Sequence, residues 1–185
     1  MDVRPPRWTV PVWGPRVRIS AGLVAWLAVA VAVVPVIGEW RAAAPLVLLV
    51  AAVASTAVHE GAHAWAARSL GYEVGWVVLG GLAGMTAYLG RDDRPLERAA
   101  VALAGPAASA ALVLALLAAR PAVPDSEFAR AVVDATLVLN CVALVANLIP
   151  VGRTDGALCL RWLIHHSRDS RDQSRLGRGE EQPLP

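Results

Sequence analysis

Lysine is missing from this chain: all 17 basic residues are arginines. Charge of either sign is scarce, at 17% of residues, where soluble domains carry about 25%. The formal net charge of +2 is too small to suggest a nucleic-acid partner. Disorder is excluded as well. Disordered segments combine low hydrophobicity with high net charge, and here 56% of residues are hydrophobic. Cysteine is limited to Cys141 and Cys159, both in apolar stretches, so no disulfide framework holds the fold. What the chain has in excess is apolar sequence in unbroken blocks, with a mean hydropathy of +0.50. That pattern defines a membrane protein.

Four blocks are long enough to cross a bilayer, which takes about 20 apolar residues. Ile19–Gly38 carries no charge over 20 residues. Ala42–Val58 adds 17 and runs on to Ala67 once His59, Glu60 and His63 are accommodated. Ala99–Ala119 gives 21, and Ala131–Val151 gives 21 with Asp134 as its one charge. The first block is too long, and its leading segment too long and Pro-rich, for a signal peptide. Arginine placement sets the direction. With the N-terminus inside, 14 arginines face the cytoplasm and only Arg41, Arg120 and Arg130 face out. The expectation is a multi-pass protein of the inner or plasma membrane with both termini cytoplasmic.

Between the second and third blocks, Tyr72–Leu89 reads YEVGWVVLGGLAGMTAYL. β-Branched and aromatic residues flank a Gly80-Gly81 break, a hairpin pattern rather than a helical one. The expected fold is an all-α membrane protein of about four transmembrane helices, with a small membrane-associated β-hairpin between the second and third. Residues 1–18 are expected as a cytoplasmic N-terminal segment, 19–166 as the transmembrane core, and 167–185 as a flexible cytoplasmic tail.

The second block contains V-H-E-G-A-H, with His59, Glu60 and His63. Positions i and i+4 share a helix face, so two imidazoles there can hold one metal ion. Glu60 projects close by and can take a proton from water at the metal. With this chain's His and Glu frequencies, chance yields an H-E-x-x-H in roughly three such sequences per thousand. Two packed helix-face histidines are the bland alternative. Inside a membrane it weakens, because titratable residues there are costly and usually functional.

Zinc needs a third protein ligand and an open position. The end of the fourth block, N-L-I-P-V-G-R-T-D-G from Asn147 to Gly156, offers Asp155. Pro150 should break the helix, and Gly152 and Gly156 loosen the backbone, which would leave Asp155 on unwound chain. Counted from Ala42 at about 1.5 Å per residue, His59 lies roughly 25 Å into a core about 30 Å thick. That is the same inner depth as Asp155. A turn or helix-capping role is the alternative for Asp155 alone.

In these motifs the chain resembles the site-2 proteases, intramembrane zinc metalloproteases, and within them the compact sporulation-type branch without PDZ or CBS domains. H-E-x-x-H is His59 to His63. An alanine-glycine-proline motif is Ala104, Gly105 and Pro106. The N-x-x-P-x-x-x-x-D-G motif is Asn147, Pro150, Asp155 and Gly156. The resemblance covers about Ile19 to Leu163. It implies one Zn2+ per chain held by His59, His63 and Asp155, with Glu60 as the base. It also implies cleavage of transmembrane segments of membrane-tethered proteins near the cytoplasmic face, in regulated intramembrane proteolysis. The partners expected are the lipid bilayer and a transmembrane protein substrate, with a membrane-anchored sigma or anti-sigma factor as one candidate. Ser109 stands where many members carry Asn.

Three further residues are candidates for substrate binding. Asn147 is a hydrogen-bond donor for substrate backbone or oxyanion, and Gly80 and Gly81 lie in a ribbon whose edge can accept an extended chain. Asn140, seven residues before Asn147, is read as interhelical glue, and Trp65 as packing. His165 and His166 are read as surface residues. The rival readings are a non-hydrolytic membrane zinc-binding protein and an inactive scaffold.

Overall fold

The computed structural model describes residues 5–7, 9–13, 16–21, 23–24, 28, 40–80, 84–89 and 94–179. In chain order these form strands β1 (Thr9–Trp13) and β2 (Val17–Ser20), helix α1 (Trp40–Ser69), and strands β3 (Glu73–Leu79) and β4 (Gly84–Leu89). Helices α2 (Pro95–Ala119), α3 (Glu127–Leu148) and α4 (Asp155–Gly179) follow. Among the described residues three helices are long and apolar enough to cross a membrane: Pro45–Ser69, Pro95–Ala122 and Glu127–Leu148. The first expected span, Ile19–Gly38, lies mostly outside the described residues, and its start differs from expectation because Ile19 and Ser20 belong to β2.

The helices are built inside out, as a lipid solvent requires. On α1 the residues Ala52, Thr56, His59, Glu60, His63, Ala64 and Ala67 are buried, a spacing that marks one helix face. The other face carries Val58 and Trp65, the latter 71% exposed. Trp65 is therefore not a packing residue within the chain. α3 follows the same rule, burying Thr136 and Asn140 and exposing Val138, Val142 and Val145. Asn140 Nδ2 donates to Ser55 Oγ on α1 (3.0 Å), which matches its reading as interhelical glue. At the far end of the bundle Arg120 and Asp134 form an ion pair (2.6 Å) between α3 and the short 3-10 turn after α2.

The hairpin belongs to a larger sheet than the sequence suggested. Its order is β1-β2-β3-β4. β3 and β4 pair antiparallel, from Glu73↔Leu89 to Leu79↔Gly84. β2 lies parallel to β3, with Val17 opposite Val77 and Arg18 opposite Val78, and β1 pairs antiparallel to β2. The Arg18 guanidinium ties β2 to β1 by donating to Thr9 Oγ1 and Thr9 O. The N-terminal segment thus contributes two strands. α1 passes into β3 through a tight cap: Tyr72 N–H donates to Ala67 O (2.9 Å) and Gly71 N–H to Arg68 O (3.0 Å). Gly71 takes φ +82°, the left-handed conformation this helix ending favours. Ala67 and Tyr72 join Ala64, Val74 and Val101 in the core that seats the sheet on α1 and α2.

The C-terminal region also differs from expectation. Residues from Ser167 onward, read as a flexible tail, continue helix α4 as far as Gly179. α4 packs on α2 through Cys159 against Ala99 and Ala102. Asp155 is its first residue rather than part of an unwound stretch. The break forced by Pro150 is confined to the connector, where Gly152 has φ +66°. Thr154 then starts α4 by accepting the Ala157 N–H at Oγ1.

Candidate metal centre

Three side chains from two distant parts of the chain meet between α1, α2 and the start of α4. His59 Nε2 lies 3.0 Å from Asp155 Oδ2, and His63 Nε2 lies 3.3 Å from Asp155 Oδ1. The two Nε2 atoms are 3.2 Å apart. Both histidines are buried, and the three residues form a group able to hold one metal ion.

Their Nδ1 atoms have partners outside the cluster. His63 Nδ1 is 2.7 Å from the Val101 carbonyl. A carbonyl only accepts, so Nδ1 carries the proton and Nε2 keeps its lone pair. His59 Nδ1 is 2.8 Å from Ser109 Oγ, and an N–H donated there leaves the second Nε2 lone pair free as well. This is how metal-binding histidines are commonly oriented. The Asp155 carboxylate faces both Nε2 atoms. Its place in the first turn of α4 favours the anion.

The donor set fits zinc. Two imidazole nitrogens and a carboxylate oxygen are its usual ligands, and atoms about 2.0–2.1 Å from a tetrahedral ion lie about 3.3 Å from one another, close to the separations seen. Space is kept for it. A Cβ at Gly105 would press into His63 Nε2 and come within 2.6 Å of His59 Nε2. Glycine is thus the residue that leaves the nitrogen pair clear, which gives the Ala104-Gly105-Pro106 motif a physical reason. Gly156 has a different task. A Cβ there would run into the Leu148 carbonyl, so glycine lets the start of α4 press against the end of α3.

Glu60 sits beside the cluster on the same face of α1. Its Oε2 accepts a 2.6 Å hydrogen bond from Thr86 Oγ1 on β4. A Cβ on Gly84 would collide with the Glu60 side chain, so β4 holds the carboxylate with one residue and makes room for it with another. A cavity of about 360 Å³ opens on His59, Glu60 and Asp155, and its wall includes Ser109, Asn140, Asn147 and Arg153.

Of the residues expected here, His59, His63 and Asp155 come together, with Glu60 next to them and Asn147 on the cavity wall. Gly80 follows β3, and Gly81 lies outside the described residues. Sequence reasoning missed Thr86, Gly84 and Arg153, which carry no local signal. Ser109, left there without a role, is the partner of His59. Also unforeseen is Arg98, whose guanidinium lies 5.4 Å, 5.3 Å and 5.1 Å from the ring centres of Tyr72, Tyr88 and Trp162. It joins the sheet and α2 to the helix that carries Asp155.

The arrangement of helices and hairpin is similar to the fold of a site-2 protease. The chain superposes on the site-2 protease from Methanocaldococcus jannaschii with a TM-score of 0.59, covering 84% of this chain and 70% of that one at 18% identity. In sequence it is 28% identical over 131 residues to a Synechocystis sp. protein named "Putative zinc metalloprotease", a stretch of 68% of this chain. It spans 35% of the length of that relative. No family model matches. The resemblance drawn from the three motifs is thus met again in a sequence relative and in the fold.

Proposed function

We propose that this chain is an intramembrane zinc metalloprotease of the compact sporulation-type branch, cutting transmembrane segments of membrane-tethered proteins near the cytoplasmic face. Both termini would be cytoplasmic. The observation that carries the reading is His59 Nε2, His63 Nε2 and the Asp155 carboxylate gathered beside the Glu60 carboxylate, with His59, Glu60 and His63 on a helix apolar enough to cross a membrane. A carrier would not need that carboxylate, and a dead scaffold would not need the ligands.

His59, His63 and Asp155 would hold the metal. Bound there, zinc supplies a Lewis acid that polarises a carbonyl and acidifies water. Glu60 takes the proton of the attacking water and delivers it to the leaving amide nitrogen. Thr86 fixes the Glu60 carboxylate for both transfers. Asn147 and Arg153 line the cavity wall and would donate to the substrate backbone or the developing oxyanion.

A helical substrate shields its own peptide bonds and must unwind before it is cut. The bared backbone then needs partners. β3 cannot supply them, because β2 and β4 already pair with it on both sides. Among the described residues the open edge on the Glu60 side is β4, and we assign substrate docking by strand addition to it.

Glu60→Gln tests the reading. It keeps the metal ligands and removes the base. Purified variant should retain zinc while cleavage of a transmembrane model substrate falls by about 100-fold or more. Near wild-type cleavage by Glu60→Gln would refute the mechanism.

A further inference from the structure

A second concavity, about 400 Å³ in volume, lies outside the metal cavity, between the connector after α3 and the exposed side of α4. Pro150 lines it from the connector, and Leu160, Arg161, Ile164, His165 and Arg168 from α4. Arg161, His165 and Arg168 are spaced i, i+4, i+7 and so lie on one helix face. Leu160 and Ile164 are 47% and 42% exposed, which sets apolar surface next to two arginines. The connector begins where the span of α3 ends, at Leu148, so the groove sits at the boundary between hydrocarbon and water.

That combination has one natural complement. Guanidinium groups bind phosphate oxygens in pairs, and an apolar strip beside them accepts an acyl chain. A ligand with both features, already present at that depth, is a membrane lipid. A zwitterionic headgroup brings an amine that competes with the arginines; an anionic one does not. We propose that the groove is a headgroup site for one anionic phospholipid, its phosphodiester held by Arg161 and Arg168 and the start of an acyl chain laid along Pro150, Leu160 and Ile164. The lipid would brace α4, the helix whose first residue is Asp155.

Native mass spectrometry of the full chain, purified in detergent and titrated with phosphatidylglycerol, phosphatidylcholine or inorganic phosphate, tests this without any cleavage assay. One phosphatidylglycerol should bind, with phosphatidylcholine about tenfold weaker. Each basic side chain at a membrane surface is worth roughly a fivefold factor. Arg161→Gln with Arg168→Gln should therefore weaken phosphatidylglycerol binding by about tenfold or more. Arg171→Gln with Arg178→Gln removes the same charge further along the helix and should change it less than about twofold. Zinc content, measured in parallel, should be unchanged in both double variants. Equal binding of the two lipids by the unsubstituted protein would overturn the proposal whatever the variants do. So would equal losses in the two double variants, or displacement of phosphatidylglycerol by an equal concentration of inorganic phosphate.

Discussion

α1 and α4 both contribute to the candidate metal centre, in opposite ways. α1 presents His59 and His63 one turn apart, so their meeting is a property of the helix itself and survives anything short of unfolding it. Asp155 reaches the same point from 96 residues away. Its position depends on a chain of contacts: the broken connector, Gly156 against Leu148, Cys159 against α2, and Arg98 held among three rings. Two of the three proposed ligands are therefore set by local geometry and one by tertiary packing. Disturbing the packing should loosen the third ligand and leave the pair intact.

Removing a ligand from either side has the largest effect. His63→Ala and Asp155→Ala should each lower zinc affinity by more than about 100-fold, since even the loss of an outer hydrogen-bond partner costs about 10–100-fold. Competition with a chelator measures this. If Asp155→Ala binds zinc like wild type, the third ligand lies elsewhere.

The supports of individual groups come next. Ser109→Ala removes the partner of His59 Nδ1 and should weaken zinc binding by about tenfold. Thr86→Val should leave zinc content alone and slow cleavage by about tenfold or more, because it strips a hydrogen bond to a charged group worth about 1.5–3 kcal/mol. A Thr86→Val protein that loses zinc, or a Ser109→Ala protein that keeps full affinity, would reverse these assignments.

Trp162→Ala gives the smallest expected change and bears most closely on the contrast between the helices. A cation–π contact contributes about 0.5–1 kcal/mol, so zinc affinity should fall two- to fivefold on the order set by that energy. The loss should vanish when Asp155 is already Ala, because Trp162 acts through that ligand. A double-mutant cycle reads this coupling. Additive losses would mean that Trp162 serves general stability only.

The same contrast explains how much could be read from the sequence. The three apolar helices α1, α2 and α3 followed from apolar runs, and His59, Glu60 and His63 from helix periodicity, both local signals. Asp155 was legible as a residue because Pro150 and Gly152 before it and Gly156 after it punctuate the chain. Its state was not: the break closes at Thr154, whose hydroxyl starts a new helix. The extent of α4 was hidden because residues beyond Ser167 are polar and lack the apolar run that marked the spans. The sheet was underestimated because β2 joins β3 in parallel from some 60 positions away, and neither strand announces its partner. Thr86, Gly84 and Ser109 matter only through what the fold brings against them.

The central claim is that α1 and α4 together make one zinc site. X-ray absorption at the zinc edge of the purified protein tests it most directly. The account predicts one zinc per chain with two imidazole nitrogens and at least one oxygen at about 2.0–2.1 Å, reduced to one imidazole in His63→Ala. Sulfur at about 2.3 Å, as from Cys141 or Cys159, or a wild-type spectrum without two imidazoles, would contradict it.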